Sequence, residues 1–214
     1  MSTLAPPICV LENGSSRGEA ERALRDAMAI RTNTFGSSDR EVGYILDALG
    51  SVLVKSGKFA EAADCYRTSR EMRRKRPESY YSSGWLMLLR KQGKFEEAKT
   101  VLRDALEGIR KEADSGSAFR QNTLAWILAT WPDSEIRDGR TALFYARKAA
   151  VATNRRNAES LDTLAAAYAE TGDFAAAVAA EKEAIGLMKE GKMKADGESR
   201  LKLYESGRPY REPE

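Results

Sequence analysis

An internal repeat constrains this chain more than any other feature. Leu49-Gly50 is followed by Gly57, Phe59, Ala62, Tyr66 and Ser69, and 36 residues further on the same offsets return as Gly93, Phe95, Ala98, Leu102 and Ala105. A third copy, Leu164-Ala165 with Gly172, Phe174, Ala177 and Ala184, keeps the spacing but has Glu181 in the place of Tyr66. Between these lies a copy with a longer turn, opened by Leu124-Ala125 and Leu128 and closed by Ala142, Ala146 and Ala149, and a half copy, Ala20, Leu24 and Ala27, precedes them all. Apolar residues at i, i+3 or i+4 and i+7 form one face of a helix, and a glycine between two such faces supplies the left-handed residue that ends the first helix. Each copy is therefore expected to be a helical hairpin, helix A then helix B. Small Ala62, Ala98, Ala142 and Ala177 let the paired helices approach, while Tyr66, Phe59 and Phe95 are expected to fill the gap to the next hairpin. With 32 alanines, 19 leucines and few β-branched runs, the fold class is all-α.

The spacing predicts helices near 18–34, 40–56, 59–74, 78–92, 95–112, 117–130, 139–153, 157–171, 174–190 and 196–206. Residues 1–17 hold Pro6-Pro7 and Gly14-Ser-Ser, so the first hairpin is expected to lack a normal helix A. Its remaining helix would show an apolar stripe of Leu24, Ala27 and Met28, which Leu4, Ile8, Val10 and Leu11 could cover by folding back. Otherwise a second subunit or an upstream domain would cover it, and the expected state is a monomer or a weak dimer through that end. At the other end Leu201 and Tyr204 share one face of a helix stopped by Gly207 and Pro209, which reads as a cap.

A Leu-Gly pair on helix A, then Gly, an aromatic and three spaced apolar positions on helix B, resembles the tetratricopeptide repeat. The resemblance covers about residues 18–190, and it departs at Leu53, Leu89 and Leu128, where the family's helix A aromatic is expected; Tyr168 keeps it. It implies an all-α right-handed solenoid with a half repeat at 18–34, repeats at about 40–75, 78–112, 117–153 and 157–190, and a capping helix and tail at 191–214. The stretch from Ala20 to Arg31 followed by Leu49-Gly50 looks like kinesin-light-chain-type repeats. The C-terminal half, with Leu124-Ala-Trp-Ile-Leu-Ala-Thr and Leu161-Asp-Thr-Leu-Ala-Ala-Ala-Tyr, resembles repeats of bacterial multi-domain proteins, where they sometimes trail a protein kinase.

Chemistry is restricted by what the chain lacks. It has no histidine, which removes Ser-His-Asp and Cys-His catalysis and His-ligated zinc. Gly57-Lys58 and Gly93-Lys94 are followed by Phe where a phosphate-binding loop needs Ser or Thr, so both read as inter-helix turns. The inserted turn Trp131 to Gly139 carries Asp133, Glu135 and Asp138 without the alternating order of a calcium loop, and reads as a surface turn. Cys65 falls inside helix B as a small structural group, and with Cys9 makes only two cysteines, too few for a disulfide framework. No run reaches the roughly 18 apolar residues of a membrane span, and the N-terminus lacks the pattern of a secretory signal. The expectation is a cytoplasmic, membrane-free, non-catalytic protein with no cofactor, no metal and no small-molecule substrate.

The family's groove positions on helix A, carried onto this chain, are Tyr44, Asp47 and Ser51; Tyr80, Ser83, Met87 and Arg90; and Phe119, Asn122 and Trp126. The last repeat offers Glu159 and Asp162 there instead. Aromatics, Met and Arg on an exposed face have the composition of a protein-binding hot spot. The Lys and Asn clamp by which some family members hold a carboxylate terminus is missing, since this chain has Tyr44, Ala48 and Ser51, then Tyr80, Gly84 and Met87. The resemblance thus implies a scaffold that takes an extended peptide segment in an aromatic groove. Two alternatives stand beside it. The basic cluster Arg67, Arg70, Arg73, Arg74, Lys75 and Arg76 could neutralise nucleic-acid phosphates, or the chain could serve as an accessory domain of a larger enzyme such as a kinase.

Overall fold

The structure is a computed structural model that describes residues 14–36, 40–72 and 82–212. Among the described residues there are ten helices and no strand: α1 (Gly14–Phe35), α2 (Arg40–Lys55), α3 (Phe59–Met72), α4 (Ser83–Lys91), α5 (Phe95–Asp114), α6 (Ala118–Thr130), α7 (Gly139–Ala152), α8 (Ala158–Glu170), α9 (Phe174–Leu187) and α10 (Lys192–Glu205). The chain divides after Ala105, inside α5, into two compact units. α1 starts four residues before the spacing predicts, because Gly14-Ser-Ser is tolerated in a first helical turn, and α10 likewise starts at Lys192 rather than at 196. The segment from 1 to 13 lies outside the described residues, and with it Leu4, Ile8, Val10 and Leu11. Leu24, Ala27 and Met28, which they were expected to cover, are half-buried, and α1 packs against α2.

The turn chemistry is the same wherever the repeat keeps its glycine. Gly57, Gly93 and Gly172 have φ of +76°, +71° and +84°, a region that costs other residues strain. In each turn the next amide reaches back to the helix just ended: Lys58 N donates to Leu53 O at 2.9 Å, Lys94 N to Leu89 O at 2.9 Å and Asp173 N to Tyr168 O at 3.0 Å. The longer turn has no such glycine. It is folded instead around Arg137, whose guanidinium donates to Trp131 O at 2.8 Å and Pro132 O at 2.5 Å, while Trp131 and Ile136 are buried. Asp133 accepts from Glu135 N at 2.8 Å, and Asp138 caps α7 by accepting from Thr141 N at 3.1 Å. These acidic groups shape the turn.

In the first unit α2 packs against α1 and α3, and α4 against α2 and α3. Leu46, Leu49 and Leu53 of α2 are buried with Ala62 and Tyr66 of α3 and Leu88 and Leu89 of α4. Each fully buried leucine removes about 2 kcal/mol of apolar surface cost before entropy is counted. Phe59 and Phe95, by contrast, are exposed and do not fill the gap between hairpins, because each sits at the first residue of its helix. In the second unit α6 packs against α7 and α8, α8 against α7 and α9, and α9 against α10. The alanines at 142, 146, 165, 177 and 184 are fully buried, and Tyr204 of α10 is buried as well, with Leu201 half-buried.

Candidate binding faces of the A helices

Tyr66 explains why helix A opens on Leu-Gly. A methyl group built on Gly50 would stand 2.8 Å from the Tyr66 ring, and one built on Gly84 of α4 only 2.0 Å from its hydroxyl. The ring is therefore sandwiched by two glycine-bearing helices. It tilts against Trp85 at 5.6 Å between centroids, its hydroxyl shares a 3.0 Å hydrogen bond with Ser51, and burial pushes the phenol up to about 12. Ser51 thus spends its hydroxyl on the helix interface. On the outer side of the same helix Tyr44 is 43% exposed, and Met87 of α4 is 36% exposed, with Ser83 exposed beside it. Asp47 and Arg90 are half-buried. Tyr80 lies outside the described residues.

The second unit presents a different face. Phe119 of α6 is 71% exposed and has the Arg120 guanidinium 5.5 Å from its ring. Asn122, one turn later, is half-buried and its side-chain carbonyl oxygen finds no hydrogen-bond partner. Trp126, one further turn on, is not open. Its indole N–H donates to Glu212 Oε1 at 2.7 Å, and Tyr210 lies 5.9 Å from its ring centroid. The chain's own C-terminal segment covers the tryptophan that the repeat register places on the surface. Glu212 and Tyr210 carry no repeat signal, so nothing in the periodicity could have found them.

Behind Trp126 sits a buried charge cluster. Arg200 of α10 holds Asp162 of α8 in a two-pronged hydrogen bond, 2.7 and 2.9 Å, and its guanidinium lies 5.7 Å from the Trp126 ring and 5.6 Å from that of Tyr210. Glu181 of α9 is fully buried, with Oε1 3.7 Å from Arg200 Nε. Burial, then the neighbouring Asp162 charge, pushes the Glu181 carboxyl up to about 9, so it holds a proton at neutral pH. Burial also raises Asp162, against the pull of Arg200, and raises Tyr204. Two carboxyls facing one guanidinium cannot both ionise cheaply, and the neutral acid is Glu181. Its signal is visible in the sequence, as the one charged residue at the helix B position held by Tyr66, Leu102 and Ala146 in the other copies.

Arg67 pairs with Asp64 at 2.7 Å and Arg70 lies 3.9 Å from Asp104, while Arg73, Arg74, Lys75 and Arg76 lie outside the described residues. Cys65 is half-buried and burial raises its thiol, which lowers its reactivity. Among the described residues no helix is long and apolar enough to cross a membrane.

Antiparallel hairpins of near-constant length, left-handed glycines at fixed repeat positions and aromatic side chains on the outer faces of A helices define a helical-repeat interaction module. Three family models, each described as tetratricopeptide repeat, match residues 17–75, 77–107 and 157–190. The chain is a tetratricopeptide repeat protein, an all-α scaffold of the kind that mediates protein–protein interaction and is typically non-catalytic. The matched ranges leave out 108–156, which holds α6, the Arg137 turn and α7, the hairpin in which the turn glycine is replaced. No curated protein matches the chain.

Proposed function

We propose that each unit binds an extended peptide segment of another protein on the solvent-facing side of its A helices, with Tyr44 and Met87 as anchors in the first unit and Phe119 in the second. The observation that carries this reading is Phe119, a large aromatic 71% exposed on a described A helix at the register position shared with Tyr44. A core role would hide such a ring, and leaving it in water costs about 2 kcal/mol or more that a partner recovers on burial. Asp47, Ser83 and Arg90 flank the anchors of the first unit and Asn122 that of the second, where they supply polar contacts, and Tyr80 is proposed to join the first set. The reaction of the chain with its partner is non-covalent, and it needs no cofactor.

Selection of displayed random peptides on the full chain tests the proposal, with Tyr44→Ala/Phe119→Ala as the counter-target. Selected peptides are expected to carry apolar or aromatic anchors and to bind the variant about 30-fold more weakly, corresponding to about 2 kcal/mol. Peptides that bind both proteins equally would contradict it.

A further inference from the structure

The C-terminal segment already shows what the face of the second unit can hold. From Arg208 to Glu212 the chain has no regular secondary structure, and three successive residues engage α6 and α8. Tyr210 packs by the Trp126 ring; Arg211 donates to Ala129 O at 3.3 Å and pairs with Glu170; Glu212 accepts from Trp126 Nε1 at 2.7 Å while its own amide donates to Thr130 O at 2.9 Å. Every one of these contacts is the kind a separate peptide could make: a ring on a ring, a carboxylate on an indole N–H, and a guanidinium and a main-chain amide on the C-terminal carbonyls of a helix, which have no partner within the helix.

We propose that this face is a recognition site for a protein segment carrying an aromatic residue two positions before a carboxylate, with a basic residue between them, and that Tyr210-Arg211-Glu212 fills it until such a segment displaces it. The inference rests on the reading of the A-helix faces as peptide sites and names the chemistry one of them selects. Two features suit the site to exchange. The side chains of Tyr210, Arg211 and Glu212 are only half-buried, so their ion pair and hydrogen bonds remain partly screened. The receiving groups are also held without the tail, since Asp162 fixes Arg200 at 2.7 Å and Arg137 fixes Glu170 at 3.1 Å. A preformed site loses little on emptying and gains affinity by needing no reordering.

A tethered occupant acts like a ligand at about millimolar concentration, so a free peptide competes poorly with the intact tail and well with a weakened one. The probe is a fluorescein-labelled peptide with the sequence of residues 206–214, titrated by polarisation against the full chain and against the full-length Tyr210→Ala/Glu212→Gln variant. The variant is expected to bind the probe at least tenfold more tightly, and a Glu212→Gln change within the probe should remove that gain. A less than twofold difference between the proteins would overturn the proposal. Hydrogen exchange on the unaltered chain gives a reading that does not depend on the variant: excess unlabelled peptide should speed exchange at the Glu212 amide, and unchanged exchange there would equally overturn it. A chain whose tail stays in place but which still takes display-selected peptides through Phe119 loses this inference and keeps the functional reading; one that takes no peptide at all loses both.

Discussion

Gly84 has no room for a side chain, because a methyl group there would meet the Tyr66 hydroxyl at 2.0 Å and Ser51 Oγ at 2.7 Å. Gly84→Ala should destabilise the chain by about 2 to 3 kcal/mol, and adding Tyr66→Phe should recover part of the loss although Tyr66→Phe alone costs about 1 kcal/mol. A double-mutant cycle in urea measures this coupling; strict additivity would mean that α4 shifts away freely. Glu181 gives the second prediction at this scale. Its folded carboxyl is raised to about 9 from an ordinary value of 4.5, so between those limits the native state binds more protons than the unfolded chain and stability falls as pH rises. The groups facing it are Asp162 from α8 and Arg200 and Tyr204 from α10; Asp162 shifts in the same direction, and no histidine titrates in the window. Melting temperatures from pH 5 to pH 9 should therefore decline, and Glu181→Gln should flatten the decline and stabilise the protein at the upper end. A flat profile in the unaltered chain would show that Glu181 is ionised throughout.

At the scale of elements, α10 packs on α9 much as the helix A of one hairpin packs on the helix B before it. Gly197 approaches Glu181 and Ile185 of α9 as Gly84 approaches Tyr66 of α3, with a built methyl group 3.1 and 3.2 Å from their side chains. Tyr204→Ala removes a buried aromatic from this contact and should cost about 3 to 5 kcal/mol, with exchange over 174–187 accelerating before that over 118–130. Uniform acceleration across the second unit would contradict a cap that loosens from its edge. Most of these elements are legible in the sequence, since the glycine and alanine offsets at Gly57, Gly93, Gly172, Ala62 and Ala177 determine both turn and packing. The candidate site is legible only in part. Register places Tyr44, Met87 and Phe119 outward, but it assigns Trp126 to the same open face, and there the Tyr210 and Glu212 contacts intervene through non-periodic, long-range pairing that no local pattern encodes. Phe59 and Phe95 show the converse limit: the repeat pattern marks their positions, yet a first-turn residue can satisfy the pattern while staying exposed.

For the molecule as a whole, the division after Ala105 separates a first unit with Tyr44 and Met87 exposed from a second whose Trp126 is already covered. The two faces should accordingly differ in readiness, with binding through Tyr44 and Met87 insensitive to changes in Tyr210 and Glu212. Aromatic anchoring also implies weak dependence on salt, whereas phosphate contacts by the basic cluster would release counterions and make affinity fall steeply. The most direct test of the central claim is a hydrogen-exchange footprint of the full chain with and without a bound, display-selected peptide. Protection is expected on A helices, α2 and α4 in the first unit or α6 in the second, with no change on the B helices α3, α7 and α9. Protection confined to the B helices would contradict it.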